Sequence, residues 1–140
     1  MRIKYFLSLF LLLVILNCDG KDSKNTHANQ SKIIIQDMDE YLSLNNNNKW
    51  QMDTHTRTSI GKMIVISTNK SLSSKDIGIQ IQEELNILFN GCTMQGDAHN
   101  ELHKFLQLYI PVVNQLKETG NDTDLNKLKN QLIIYQKYFK

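Results

Sequence analysis

The sequence predicts an all-α fold, an antiparallel four-helix bundle, on three observations. Apolar residues recur every three or four positions in a series of segments between Lys49 and Phe139, the spacing that lines one face of a helix. The breaks between those segments are short and rich in Ser, Asn, Asp and Gly, which joins neighbouring helices antiparallel. Only one proline, Pro111, and six glycines occur in 140 residues, so little interrupts long helices. Hydrophobic residues make up 41% and charged residues 21%, enough apolar material for a core and too little charge for a wholly disordered chain.

The bundle is not expected to start at the N-terminus. Arg2 and Lys4 precede an apolar run from Tyr5 to Leu16 that ends at Asn17-Cys18. That run is too short for a comfortable membrane-spanning helix and has the layout of a secretory signal peptide. Val14-Ile15-Leu16-Asn17-Cys18 resembles a bacterial lipoprotein cleavage box, with Asn17 where glycine or alanine is commoner. Cleavage there would make Cys18 the lipidated first residue and tether the chain to a membrane of the cell envelope. The expected organisation is a signal peptide over 1–17, a lipidated and flexible tether over 18–31, and a helical domain over 32–140. The tether is polar, without apolar periodicity, and carries His27.

Within the domain, 33–44 reads two ways. Ile33-Ile34-Ile35 favours a strand, while Ile34, Met38 and Tyr41 fit a helical face. Asn45 to Asn48 is a loop. The first clear helix opens between Lys49 and Asp53 and runs to Ser67 or Thr68, with Asp53 or Thr54 as cap. Met52, His55, Ser59 and Met63 share one of its faces, which Ile60, Ile64 and Val65 broaden. Trp50 lies at its entrance as an amphipathic lid. Ser73-x-x-Asp76 resembles a capping box for a second helix over about 75–90, with Ile77, Ile81, Leu85 and Leu88 as its stripe. Cys92 continues that stripe if the helix passes Gly91, although glycine more often ends a helix. The third helix starts between Thr93 and Asp97 and reaches Lys117, burying Ala98, Leu102, Phe105, Leu106, Tyr109, Val113 and Leu116. Pro111 removes a backbone donor there and predicts a kink. Glu118 to Asn121 is a turn, and Asp122 or Thr123 caps a last helix whose seam is Leu125, Leu128, Leu132, Tyr135 and Phe139.

Charge narrows the function. Taking Arg2 and Lys4 from the sixteen basic residues leaves as many as the fourteen acidic ones. A near-neutral mature chain has no electrostatic footprint for nucleic acid. Cysteine usage is more telling. With Cys18 lipidated, Cys92 is the one free thiol, and an oxidising envelope calls for such a thiol to be buried, paired between chains or ligated.

The chemistry concentrates in Gly91-Cys92-Thr93-Met94-Gln95-Gly96-Asp97-Ala98-His99-Asn100-Glu101-Leu102-His103. His99 and His103 are four apart, which turns two imidazoles to one side of a helix. Cys92 and Met94 lie in the turn just before it. Thiolate, thioether and imidazole together suit Cu(I) first and Zn(II) second. The expected ligands are Cys92, Met94, His99 and His103, with His55 and Met63 approaching from the neighbouring helix. The plain reading stands beside it: a lone cysteine packs as a small hydrophobe, methionines fill cores, and a histidine pair at a helix start hydrogen-bonds at the surface. Catalysis by Cys92 with His99 or His103 as base would need an orienting third group and oxyanion donors, and no such set is visible.

Cys92-Thr93-Met94-x-Gly96-x-Ala98-His99-Asn100-x-Leu102-His103-x-Phe105-Leu106, with Asn48-Lys49-Trp50 and Gly61-Lys62-Met63, resembles a group of small bacterial envelope lipoproteins. The resemblance covers about Leu44 to Phe139. It implies a helical bundle on a lipid tether and a link to metal handling, and it brings no established activity. Asn47-Asn48 stands where that pattern leads one to expect a glycine-containing turn. Two functions are therefore expected as alternatives. One is binding of a soft metal ion, copper first, for storage, sensing or resistance. The other is a non-catalytic interaction lipoprotein that docks an envelope protein through an exposed apolar patch.

Overall fold

The structure is a computed structural model, and it describes residues 38–140. The signal peptide, Cys18, the tether with His27, and the strand-or-helix question at Ile33 to Ile35 lie outside the described residues. Among the described residues the fold is an all-α bundle of four helices: α1 (Thr54–Ser67), α2 (Ser74–Gly91), α3 (Gly96–Thr119) and α4 (Asp122–Tyr138). Each packs on the next, and α4 closes back onto α1. No helix among these residues is long and apolar enough to cross a membrane.

Local signals explain the boundaries. Asp53 caps α1 by accepting from the Thr56 amide at 2.7 Å. Ser73 caps α2 through the Asp76 amide at 3.1 Å, and its hydroxyl donates to the Asp76 carboxylate at 2.6 Å. α2 ends at Gly91, so Cys92 is an extended C-cap residue and does not prolong the stripe. α3 runs through Pro111 without interruption, with the ring exposed. It closes on Gly120, whose φ of 63° is left-handed and favours glycine. The cap of α4 is Asn121, which accepts from the Asp124 amide at 2.8 Å, rather than Asp122 or Thr123. With a two-residue connection the cap must sit one position earlier than composition alone suggests.

The core is the set of stripes read from the sequence. Ile77, Ile81, Leu85 and Leu88 of α2 meet Leu102, Phe105, Tyr109, Val113 and Leu116 of α3, and Leu125, Leu128, Leu132, Tyr135 and Phe139 close the third side. Phe105 stacks on Tyr109 at 5.2 Å between ring centroids and meets Tyr135 edge-on at 5.2 Å. α1 contributes Ile60 and Met63, with Met52 buried just ahead of it, and its inward face is otherwise small and polar, with Thr56, Ser59 and Ser67 buried. Val65, expected to broaden the apolar side, is 69% exposed and points away.

The N-terminal approach carries the surprises. Residues 38–41 form a helical turn that buries Met38. Asn45 and Asn48 then exchange both backbone hydrogen bonds at 2.9 Å, while Asn46 and Asn47 take φ of 48° and 64°. This is a two-residue hairpin turn of the type that requires positive φ at both central positions. Asparagine tolerates that conformation, so no glycine is needed. The hairpin returns the chain to the C-terminus. The Trp50 amide donates to Tyr138 O at 2.8 Å, the Lys140 amide to Trp50 O at 2.9 Å, and the Met52 amide to Lys140 O at 2.8 Å. Trp50 is thus half of a backbone clasp, and its indole N–H donates to Ser43 O at 2.6 Å. The clasp, the 92–95 loop and the N-terminus of α1 lie at one end of the bundle.

Candidate functional site

At that end a pocket of about 340 Å³ lies between α2 and α3. Its walls are Leu88, Phe89 and Cys92 from the end of α2, and His99, Leu102, His103 and Leu106 from α3. Helical geometry explains the α3 set, because steps of three and four from position 99 stay on one face. Most of the lining is hydrocarbon, so the thiol and the two rings are the polar features of an apolar hollow. Phe89 is 45% exposed at its side.

His99 and His103 converge as their spacing predicts. Their Nε2 atoms stand 2.7 Å apart and the ring centroids 4.4 Å apart, 62° between planes. One Nε2 must carry a hydrogen and donate while the other accepts through its lone pair, so the accepting ring is neutral, protonated at Nδ1. Two imidazole nitrogens are therefore already turned toward one another. For a metal–nitrogen bond of about 2.0–2.1 Å in tetrahedral geometry, two such nitrogens sit roughly 3.3 Å apart, so the pair would open by about 0.6 Å. His103 is exposed and His99 half-buried, so rotation of surface rings supplies that opening.

Cys92 is a free, half-buried thiol on the same pocket. Among the described residues no group of three or more His, Cys, Asp or Glu side chains is gathered closely enough to hold a metal ion. Joining Cys92 to the histidines requires its Sγ to swing toward them.

The other expected ligands are elsewhere. Met94 is turned toward α1, where its sulfur accepts from the Thr56 hydroxyl at 3.6 Å, and it packs against the core. Met63 is wholly buried core. His55 does not face the pocket: its Nε2–H donates to Ile87 O at 3.0 Å, across from α1 to α2 one turn before its end. For His55 and Met63 the physical reason is the side on which α1 packs, and Met94 is drawn to α1 by Thr56. The inner face of α1 packs on α2, whereas the pocket opens on the α2–α3 side.

The 92–95 loop is held by the start of α1. Thr93 donates its hydroxyl to Asp53 at 3.4 Å. Partial burial pushes the Asp53 carboxyl up, but hydrogen bonds from the Thr56 amide and hydroxyl and the Thr93 amide, with the charge of His55, outweigh it and hold the group below its ordinary 3.8. Gly91 lies directly under the His55 ring; a Cβ built there collides with the imidazole. Sequence reasoning missed the role of Gly91, for which the only signal was a glycine at a helix end.

Comparison with protein-family models, with curated proteins and with solved structures finds no match for this chain.

Proposed function

We propose that the chain is a lipid-anchored protein of a bacterial envelope that binds one soft metal ion, Cu(I) before Zn(II), through His99, His103 and Cys92. The observation that carries this reading is the convergence of the two Nε2 atoms at 2.7 Å on a pocket that also holds the one thiol of the described residues. A metal ion taking the place of the shared hydrogen satisfies both nitrogens at once, the displaced proton passing through solvent to Nδ1 of the ring that donated it, so that both rings bind as neutral imidazoles. Cu(I) leads because its single charge suits an apolar hollow and soft donors, whereas Zn(II) prefers four ligands in structural sites and three protein donors are on offer here. Met94, His55 and Met63 are left out of the ligand set, since each is engaged elsewhere. The role is storage, sensing or resistance rather than catalysis. The anchor is Cys18, on the strength of the run 14–18.

The test is an anaerobic Cu(I) competition titration of the chain carrying Cys18→Ser, so that Cys92 is the sole thiol. One equivalent should bind. His99→Ala and Cys92→Ala should each weaken binding far more than they alter helicity, while Met94→Leu leaves it unchanged. Equal losses of binding and helicity would mark Cys92 as a packing residue, and no competition with a weak chelator would remove the metal reading. A second reading, an interaction module for an envelope protein, is favoured by Phe89 and Ile87 standing 45% and 46% exposed at the end of α2. Under it, Phe89→Ser abolishes partner recovery and copper has no effect on it.

A further inference from the structure

The residues on either side of Cys92 are each gripped by the cap or the first turn of α1. Gly91 lies under the His55 ring, and the same ring donates from Nε2 to Ile87 O, four residues back along α2. Thr93 is bound to Asp53. Met94 accepts from Thr56. Three holds from positions 53, 55 and 56 therefore fall on positions 91, 93 and 94. Cys92 is the one residue of this stretch that they leave free, and it lines the α2–α3 pocket.

From this geometry we infer that His55 is a positioning residue: its imidazole locks the end of α2 against α1 and so sets where the Cys92 thiol stands relative to His99 and His103. The consequence for metal binding rests on the function proposed above; the lock itself does not. The His55–Ile87 bond is to a backbone carbonyl one turn before the end of α2, so it holds the helix and not merely a side chain. The ring fits there only because residue 91 has no Cβ, so glycine is what permits the close approach. Cys92 follows Gly91 directly with extended backbone, so a shift of the helix end is passed straight to the thiol. Outer contacts that orient a ligand commonly change metal affinity by roughly tenfold to a hundredfold without touching the ion.

Glutamine separates positioning from ligation. Its Nε2–H can reach a carbonyl as the imidazole Nε2–H does, but a neutral amide is a poor ligand for Cu(I). The full chain carrying Cys18→Ser is prepared with His55, His55→Gln or His55→Ala. Two quantities are read: Cu(I) affinity, and the alkylation rate of Cys92 in the metal-free protein. Circular dichroism checks that each variant is folded, and a variant that is not folded is replaced by Gly91→Ala, which dislodges the same ring from the other side. His55→Ala should lower Cu(I) affinity about tenfold or more and change the alkylation rate, and His55→Gln should restore both. A His55→Gln protein as weak for copper as His55→Ala, with alkylation unchanged in both, would make His55 a ligand and overturn the inference. An alkylation rate indifferent to all the substitutions would overturn it too. Absence of copper binding in the His55 protein would remove the proposed function while the alkylation rates still decide the lock.

Discussion

One methyl group, placed at two glycines, should move stability in opposite directions. Gly61 lies exposed within α1, and a Cβ there meets nothing within 4 Å. Gly61→Ala should therefore stabilise by about 0.5–1 kcal/mol through reduced backbone entropy of the unfolded chain. At Gly78 in α2 the same Cβ would stand 2.8 Å from the Lys117 amide nitrogen, 3.0 Å from its Cα and 3.1 Å from the Leu116 carbonyl carbon. All three are backbone atoms of α3, so no side chain can turn aside. Carbon contacts are comfortable at about 3.5 Å or more, so the helices must part by roughly half an ångström where Ile77, Ile81, Val113 and Leu116 are packed. Overpacking costs about 1–3 kcal/mol, the upper end applying where the neighbour is backbone. Less the helix-propensity gain of about 1 kcal/mol, Gly78→Ala should destabilise by about 2 kcal/mol. In a domain of this size that lowers the melting temperature by about 8–15 °C. Thermal and urea unfolding followed by circular dichroism measure both variants. If Gly78→Ala stabilised as Gly61→Ala does, the close crossing of α2 and α3 would be wrong, and with it the geometry of the pocket between them.

Further outcomes follow from the same structure. Asp53→Ala removes the α1 cap and should cost about 1 kcal/mol near neutral pH. Because the folded carboxyl is held below 3.8, that contribution is complete above the ordinary value and disappears as pH falls through the lowered one. Urea midpoints of wild type and variant should therefore converge in acid; a constant gap would contradict it. Pro111→Ala should stabilise by roughly 1–3 kcal/mol, since alanine returns a donor for the Gln107 carbonyl and the site is exposed. A lower melting temperature would show that α3 needs the proline. Asn46→Gly should leave stability within about 0.5 kcal/mol of wild type and Asn46→Val should lower it, because the hairpin turn demands positive φ there. Equal melting temperatures would argue against that turn.

The helices were legible because their stripes were. The 77, 81, 85, 88 pattern and the 125, 128, 132, 135, 139 pattern are buried as periodicity predicts. A hydrophobic stripe has only one way to leave water. The end of the bundle was much less so. The clasp between Trp50 and residues 138–140 uses backbone groups alone, which carry no side-chain signature. The site was legible in part for the same reason. His99 and His103 share a helix, so their convergence is a matter of spacing. Whether Met94, His55 and Met63 join them depends on which neighbouring helix each residue meets, and sequence periodicity does not fix the order of helices around a core. Met94 was drawn to Thr56, and His55 to the carbonyl of Ile87.

The most direct measurement of the central proposal is X-ray absorption at the copper edge on the Cu(I)-loaded chain carrying Cys18→Ser. The account predicts two imidazole nitrogens and one thiolate sulfur as nearest neighbours, unchanged by Met94→Leu or His55→Gln. The sulfur should vanish in Cys92→Ala and one nitrogen in His99→Ala. A first shell holding a thioether, a sulfur signal that survives Cys92→Ala, or a chain that retains no copper would contradict it.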